Sequence, residues 1–289
     1  MASTQLLKSR IRSVKSTRQI TKAMQLVAAS KMRRAQEATK ASAPYSLAAR
    51  ELLTALSTHT SVKNHPLFVH RVAKTRLLIV IASDKGLAGA YNSNIVRVYA
   101  DELKKDDKAG IKNTTITVGR KAAQFVARLK DTQVMGAYEE LPDRPDGSEL
   151  RAVLDSARTL FTTGQVDAVD VIYTDFVSSI QQEAKIIRVL PAGFEPVVEP
   201  GVARDVTYEP DTEEVLDGVA YRLVGAQIYQ ALLDARASEH SMRMMAMKNA
   251  SDNASDLIDD LTLEMNKARQ SAITQELAEI SGGVEALNE

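Results

Sequence analysis

Hydrophobic residues recur every three or four positions at both ends of this chain, in segments without a helix breaker. Between Ala226 and Ser281 there is no glycine or proline, and the first 43 residues also lack both. At 1.5 Å per residue, these segments predict helices of roughly 84 and 65 Å. Helices of globular proteins average about 11–12 residues, so helices of this length need each other, or a partner, for support.

The apolar spacing predicts that the two terminal helices pair as a coiled coil. In the C-terminal segment the predicted stripe advances by three or four positions, close to the heptad spacing of about 3.5. Its members are Met247, Ala250, Ala254, Leu257, Leu261, Met265, Ala268 and Ala272. In the N-terminal segment they are Leu7, Ile11, Val14, Ile20, Met24 and Val27. Few of these side chains are large, so we expect other chains to cover part of the paired helices.

Pro44 lies inside the N-terminal segment. A proline in a helix interior costs about 3 kcal/mol and usually kinks or ends the helix. Because Tyr45–Leu56 keeps a helical composition, the sequence predicts a kink after which the helix resumes.

The middle of the chain predicts a domain of a different kind. Strands are predicted at 75–83, 114–118, 168–176 and 184–190, and helices at 94–105, 121–129 and 150–161, the last capped by Asp146. This alternation favours a largely parallel sheet. The predicted fold class is therefore α/β with long terminal helices, in which the N- and C-terminal segments form an antiparallel two-helix coiled coil around an inserted Rossmann-like α/β domain. The predicted boundaries are 1–60 for the N-terminal coiled-coil helix, 73–195 for the α/β domain and 209–289 for the C-terminal coiled-coil helix.

The distribution of charge supports pairing of the two ends. Residues 1–40 carry ten Lys/Arg and one acid, for a net charge of +9, whereas residues 205–289 carry seventeen acids and six Lys/Arg, for −11. The whole chain is neutral, with 37 residues of each sign. An exposed ion pair contributes only about 0–1 kcal/mol, so charge would orient the helices while apolar burial stabilises them.

The sequence predicts no catalytic, metal or cofactor site. The chain has no cysteine, which excludes a disulfide, a thiol nucleophile and a cysteine-based zinc site. The turn at Ser83–Ala90 contains only Gly86 and Gly89, short of the three glycines of a dinucleotide fingerprint, and no P-loop sequence occurs. A stand-alone α/β nucleotide-binding protein remains an alternative.

The basic N-terminal segment suggests a second alternative, because Lys and Arg on a helix can neutralise nucleic-acid phosphates. Its first aromatic residue, Tyr45, lies beyond the basic region, and the acidic tail would compete for the same charges. Nucleic-acid binding is therefore not the preferred interpretation. The longest apolar run, Leu77–Ala82, is far shorter than the ~20 residues of a membrane helix, so membrane association is expected only through partners.

Three segments resemble a known family. ITKAMQLVAASKM at Ile20–Met32, SDKGLAG at Ser83–Gly89 and NKARQSAITQELAEI at Asn266–Ile280 are similar to three motifs of the γ subunit of F-type ATP synthases, in the same order. They are spread over nearly the whole chain. One departure is Gly283-Val284, where the family signature usually closes with Gly-Ala, and this puts only the packing of the helix tip in doubt.

The resemblance implies a central rotor shaft. Family members stand inside a hexamer of three α and three β subunits, rest on the c-ring and contact the ε subunit, so these are the implied partners. Rotation of the c-ring turns the shaft, which drives conformational changes at the catalytic sites of the hexamer. The implied role is that of a non-catalytic subunit of a proton-transporting ATP synthase, with no cofactor of its own.

The resemblance also implies which residues contact partners. Met24 and the turn residues Asp84, Lys85, Gly86 and Ala88 match positions that approach a β subunit, and Tyr208 and Glu209 match the foot that meets the c-ring and ε. The C-terminal signature contributes Arg269, Gln270, Thr274 and Glu276, for which an exposed polar helix face is the alternative interpretation. The stretch Leu277–Leu287 would be the tip held in an apolar bearing.

The predicted location is the cytoplasmic face of a bacterial plasma membrane, as a peripheral protein. Residues 1–36 have the Arg, Lys and Ser content, and the lack of acids, of an organellar transit peptide. The apolar stripe runs through this segment and the tail supplies the opposite charge, which favours mature structure over a leader. The alternative location is the matrix side of the mitochondrial inner membrane.

Overall fold

Two very long helices and a five-stranded sheet account for most of the chain in this computed structural model, which describes residues 4–58, 62, 65–129, 132–142, 145, 147–193 and 212–287. The helices are α1 (Thr4–Thr58), α2 (Tyr91–Ala109), α3 (Arg120–Val126), α4 (Arg151–Thr162) and α5 (Thr212–Leu287). The strands are β1 (Thr75–Ile81), β2 (Lys112–Val118), β3 (Gln133–Tyr138), β4 (Ala168–Phe176) and β5 (Gln182–Leu190). The described residues thus confirm the fold class that the sequence predicts.

The chain divides into two compact units. One contains Met1–Ala28 and Met244–Glu289, and consists of the outer parts of α1 and α5. The other contains Ala29–Arg243, and includes the sheet with the inner parts of both long helices.

The sheet has the strand order β3-β2-β1-β4-β5. The first four strands are parallel and β5 is antiparallel to β4, which confirms a largely parallel sheet. The strand at 168–176 has the predicted bounds, and the others begin or end within two residues of the prediction. The edge strand β3 was missed, because it contains a single β-branched residue, Val134, and a glycine, Gly136, which is typical of a weak strand.

Alternation along β1 builds an apolar layer on each face of the sheet. Leu77, Ile79 and Ile81 point into a cluster with α4 and the inner parts of α1 and α5, whereas Leu78 and Val80 point into a second cluster with α2 and α3. Successive strand residues face opposite sides of a sheet, so one continuous apolar run supplies both layers. The sheet is therefore buried on both faces, as parallel sheets generally are.

Two local predictions concern helix ends and breaks. α1 runs without interruption through Pro44 to Thr58, which confirms helix on both sides of the proline, while the kink stays a prediction. α4 is preceded by a 3₁₀ turn at Ser148–Leu150, and its N-cap, Leu150, makes no side-chain capping bond. The predicted cap, Asp146, lies outside the described residues.

Gly119, between β2 and α3, is the glycine whose replacement we expect to be most damaging to this sheet. Its φ is +96°, and an added Cβ would lie 2.1 Å from the carbonyl oxygen of Ala82. Gly119→Ala should therefore lower the free energy of unfolding by about 3 kcal/mol, because left-handed strain of about 1–3 kcal/mol adds to a backbone collision. Urea denaturation of the full chain measures this loss.

Gly110 provides the matched control. Its φ is +71°, but a Cβ there would meet nothing within 4 Å. Gly110→Ala should cost only the backbone strain, about 1 kcal/mol. Equal losses for the two variants would show that the Ala82 carbonyl does not limit the space at Gly119.

Candidate functional site

The turn that follows β1 is held in a fixed conformation by its own polar residues. Ser83 is fully buried, its Oγ donates to the carbonyl of Lys85 at 2.7 Å, and its backbone N–H donates to Asn92 Oδ1 at 3.2 Å. Leu87 has a φ of +62°, which is uncommon for a residue other than glycine. Its side chain nevertheless points to solvent, with 63% of its surface exposed.

Asp84 connects the ends of three strands. Its Oδ1 accepts hydrogen bonds from the backbone N–H of Arg120 at 3.0 Å and of Glu140 at 3.1 Å, which follow β2 and β3. Its Oδ2 lies 3.5 Å from Nη2 of Arg236 on α5. These bonds give Asp84 an internal structural role at the carboxyl edge of the sheet.

Two arginines of α5 bind the same turn. Arg243 donates through Nη2 to the carbonyls of Lys85 at 3.1 Å and Gly86 at 3.3 Å. Glu239 lies between the arginines, 2.8 Å from Arg243 and 3.2 Å from Arg236. None of these three residues was predicted from the sequence, although their spacing of three and four on a helix places them on one face.

α5 occupies the place where an open α/β sheet usually binds its ligand. That place is the crevice at the carboxyl ends of the strands where the strand order reverses, here between β1 and β4. Ser238 of α5 donates to the carbonyl of Thr174 near the end of β4, at 3.2 Å, while Arg243 binds the turn after β1. Side chains of α5 therefore bind both sides of this crevice, with Arg243 on two carbonyls of the turn.

Tyr91 lies fully buried beneath this group of charges. Burial, and then the nearby carboxylate of Glu239, raise the pKa of its hydroxyl above the ordinary value. Tyr91 therefore stays neutral at physiological pH and acts as a packing residue.

The predicted contact residues of the turn fall into two groups. Lys85 and Gly86 are exposed. Ala88 is buried in the cluster formed with α2 and α3, and Asp84 is partly buried with both carboxylate oxygens engaged. The turn therefore presents Lys85, Gly86 and Leu87 outward, while Asp84 and Ala88 hold them in place.

The outer parts of α1 and α5 pack together as antiparallel helices. Leu7, Ile11, Ile258 and Leu261 form a buried cluster, against which Val14, Met265 and Ala268 pack. Arg18 lies one turn beyond Val14 and donates a hydrogen bond to Ser255 Oγ at 3.4 Å. Ser255 lies one turn before Ile258. Residues later in α1 therefore contact residues earlier in α5, as antiparallel helices require.

The predicted stripes have the right spacing but are partly in the wrong phase. On this part of α5 the buried positions are Met247, Ser251, Ala254, Ile258 and Leu261, and the partly buried Met265 and Ala268 continue the same stripe, with steps that alternate between four and three. Ile258 replaces the predicted Leu257, which is 44% exposed, whereas the predicted Ala250 is partly buried and its neighbour Ser251 is more deeply buried. Ala272 is exposed.

α1 shows the same correction. After Val14 the buried positions of its outer part are Thr21 and Ala28, whereas the predicted Ile20 and Val27 are more than half exposed. Each prediction chose the larger of two neighbouring side chains, but the heptad spacing selects the smaller one. Met24 is partly buried.

Residues 269–281 of α5 pack against no other part of the described chain closely enough to be buried. Every residue from 269 to 281 is exposed, including the predicted contact residues Arg269, Gln270, Thr274 and Glu276. Ile273, Leu277 and Ile280 remain 49–64% exposed, and their spacing of four and three places them on one helix face. Tyr208 and Glu209, and most of the tip beyond Ser281, lie outside the residues whose side chains are described.

A buried group of charges at the opposite edge of the sheet has a structural explanation. Arg76 of β1 forms ion pairs with Glu102 and Asp106 of α2, both at 3.0 Å, and with Asp170 of β4. Arg188 of β5 also binds Asp170, at 2.8 Å. Because the carboxylates surround guanidinium groups, they are not free to bind a metal, and no group of metal-ligating side chains was found within the described ranges.

No helix of the described residues has both the length and the apolar character that crossing a membrane requires.

A family model and several known proteins are similar to this chain over nearly its full length. A family model described as ATP synthase matches residues 3–287. An ATP synthase gamma chain of Stenotrophomonas maltophilia is 41% identical over 291 residues, with 99% of this chain and 100% of the relative covered. A gamma chain of Opitutus terrae is 42% identical, with 97% of each chain covered.

Solved structures have the same fold. A chain of the central stalk and c-ring of the Tetrahymena thermophila mitochondrial ATP synthase has 28% identity and a TM-score of 0.65, with 80% of this chain and 99% of that chain covered. A chain of the Euglena gracilis mitochondrial ATP synthase in rotational state 3 has a TM-score of 0.71 at 19% identity, with coverages of 98% and 94%. With a family model over nearly the full length and relatives near 40% identity, this chain belongs to the gamma chain family of ATP synthase.

Proposed function

We propose that this gamma subunit couples rotation to ATP chemistry by direct contact with the catalytic subunits, and that it contributes no catalytic residue and no cofactor of its own. As a gamma chain it is a component of the ATP synthase rotor. The proposed partners are the hexamer of α and β subunits, the ε subunit and the c-ring. It would lie at the cytoplasmic face of a bacterial plasma membrane and reach the membrane only through those partners.

The observation that carries this proposal is the exposed end of α5. Thirteen successive residues, 269–281, are exposed, and they include an apolar face formed by Ile273, Leu277 and Ile280. An isolated helix gains little stability from propensity alone, so an exposed apolar face at its end indicates that another chain covers it. A surrounding ring of subunits would provide that cover.

The mechanism of coupling would follow from the asymmetry of the paired helices. The two helices present different side chains around their circumference, so a ring of three equivalent sites meets three different surfaces. A contact that is more favourable in one conformation of a site shifts that site toward it. Rotation would thus couple the angle of the helices to the conformation of each site through a free energy of contact.

We propose partner contacts in three places. Met24, Arg269, Gln270, Thr274 and Glu276 would meet the ring, since they lie on the outer parts of α1 and α5 and four of the five are exposed. Lys85, Gly86 and the exposed Leu87 would meet a β subunit, with Asp84 and Ala88 as their internal support. Tyr208 and Glu209 remain proposed contacts to the c-ring and ε by resemblance. The domain boundaries 1–60, 73–195 and 209–289 also remain proposals.

Neither alternative gains support from the described residues. The crevice that a nucleotide would use is occupied by Ser238 and Arg243 of α5. Nucleic-acid binding through the basic segment would leave the exposed apolar face of α5 without a role. The rotor interpretation accounts for both features.

Reconstitution with α and β subunits of the same source tests the proposed contacts. Arg269→Ala and Glu276→Ala should each slow ATP hydrolysis by the complex about tenfold, because loss of a hydrogen bond to a charged group costs about 1.5–3 kcal/mol. The matched control is Arg97→Ala on α2, an exposed arginine of the α/β domain. If all three variants hydrolyse ATP at the wild-type rate in a complex of normal composition, the proposed contacts are wrong.

A further inference from the structure

A cavity of about 250 Å³ lies between α1, the β4–β5 hairpin and α5, within the unit that contains the sheet. Two carboxyl groups from different elements line it, Asp175 of β4 and Asp234 of α5. Neither residue belongs to a motif that the sequence analysis singled out. Asp234 is 7% exposed, so the environment of its carboxyl group must be explained.

The two carboxyl groups have different hydrogen-bonding and ion-pair partners. Asp175 has a cation, since Nζ of Lys185 lies 2.7 Å from its Oδ2. Asp234 takes part in none of the ion pairs found among the described residues. Its Oδ1 accepts a hydrogen bond from Nε2 of Gln230 at 3.1 Å. An ionised Asp234 would therefore be a buried charge with no ion-pair partner among the described residues, which would destabilise the folded state.

Cations do line the cavity, but their positions leave Asp234 without an ion pair. Among the described residues, the charged groups that line it are Arg50 of α1, Asp175 of β4, Lys185 and Arg188 of β5, and Asp234 itself. Lys185 is bound to Asp175, and Arg188 is bound to Asp170 at 2.8 Å. Arg50 of α1 also lines the cavity.

Gln230 connects this carboxyl group to α1. The amide nitrogen that donates to Asp234 also lies 3.5 Å from the carbonyl oxygen of Thr39. The amide oxygen of Gln230 is buried and has no hydrogen-bond partner among the described residues. A change in charge at Asp234 would therefore act on the amide that links α5 to α1.

We propose that Asp234, together with Asp175, forms a proton-binding site that controls how tightly α5 packs against α1 beside the sheet. With the proton bound, the cavity holds one carboxylate, that of Asp175, already paired with Lys185. When the proton leaves, two carboxylates face each other across the cavity, and the packing of α5 against α1 weakens. This device is separate from the proposed partner contacts and does not depend on them.

The direction of the pH effect follows from the pKa. Burial, and then the charge of Asp175, raise the pKa of Asp234 to about 7. The folded chain thus holds a proton that the unfolded chain releases near its ordinary, lower value. The resulting stability is fully present below that ordinary pKa and is lost as the pH rises through about 7.

Urea denaturation of the full chain between about pH 5 and pH 8.5 tests the site. The wild-type midpoint should fall between about pH 5 and pH 7 and level off above it, whereas Asp234→Asn should remove that fall and equal or exceed the wild type at the alkaline end. Asp252→Asn, an exposed aspartate of the same helix, should keep the wild-type pH profile. If Asp234→Asn retains the wild-type fall, the proposal is wrong.

A second variant tests the pair without altering Asp234. Asp175→Asn removes the neighbouring charge, so the fall in the midpoint should move to lower pH. This measurement also decides the matter if Asp234→Asn does not fold. A fall at an unchanged pH in Asp175→Asn would overturn the proposed pairing of the two carboxyl groups.

Discussion

Replacement of Arg76 by methionine is expected to lower the free energy of unfolding of the full chain by about 3–5 kcal/mol. Arg76 is the cation shared by Glu102, Asp106 and Asp170, all of which are buried. Removal of one partner leaves buried charges without compensation, which costs far more than an exposed ion pair contributes. Methionine keeps much of the apolar stem, so the loss reports mainly on charge.

The pH dependence of this loss distinguishes it from a packing defect. Burial alone would raise the pKa of Glu102, but hydrogen bonds from Lys105 and Arg76 outweigh it and lower that pKa. A lowered pKa stabilises the fold above its ordinary value, and the benefit is lost as the pH falls through the lowered value. The difference between wild type and Arg76→Met should therefore shrink in acid.

Lys104→Met is the matched control for Arg76→Met. Lys104 forms only a surface pair with Asp101, at 3.6 Å, and its side chain is 73% exposed. We expect this substitution to change the free energy of unfolding by less than about 1 kcal/mol. Urea denaturation of the two variants at neutral and acid pH gives the comparison, and an equally small loss for Arg76→Met would contradict the structural role of the buried charges.

Removal of the chain beyond Ala268 is expected to abolish most of the coupling in the reconstituted complex while leaving the chain folded. Ala268 is the last residue that packs against the cluster of Leu7, Ile11 and Leu261. Of the deleted residues, 269–281 are all exposed, so the loss of that stretch should change the free energy of unfolding by no more than about 0.5 kcal/mol. The same deletion removes the apolar face of Ile273, Leu277 and Ile280.

The expected loss of function is large because of what that face would bury. Full burial of one such side chain contributes about 1.5–3 kcal/mol, so three of them would contribute several kcal/mol of contact with the ring. We therefore expect ATP-driven proton pumping per ATP hydrolysed to fall at least about tenfold. Pumping and hydrolysis are measured together in the complex with the membrane subunits.

A shorter deletion is the control for this truncation. Removal of Asn288 and Glu289 alone leaves α5 intact through Leu287 and should preserve wild-type coupling. If the chain that ends at Ala268 assembles and couples normally, contacts nearer the sheet domain are sufficient and the proposed role of the α5 end is wrong.

Local patterns in the sequence predicted most of the elements. The absence of glycine and proline predicted both long helices, and runs of β-branched residues predicted four of the five strands. These signals are local, because periodicity and helix breaking depend on residues within a few positions of each other. β3 was not predicted, because its place in the sheet depends on pairing with β2 and not on its own composition.

The helix stripes show where local reasoning fails. Leu257 and Ile258 are neighbours of similar size, and the sequence alone favoured Leu257, yet Ile258 faces α1 and Leu257 is exposed. Adjacent helical positions differ by about 100° in direction, so a shift of one residue changes which face is buried. The partner helix selects the phase, since only one phase lets both stripes meet.

The functional residues divide in the same way. The motif Ser83–Gly89 was visible in the sequence, but the internal role of Asp84 was not, because its partner Arg236 lies 152 positions away. Arg76 likewise has partners 26, 30 and 94 positions away, and Asp234 faces a carboxylate from another element.

The sequence by itself determined the helices, most of the strands, the opposite charges of the two ends and the family. Each of these depends on residues that lie close together in the sequence. Only the tertiary structure decided which stripe is buried, which turn residues face outward and which charges share a cavity. Those outcomes depend on side chains that meet only after distant segments have packed.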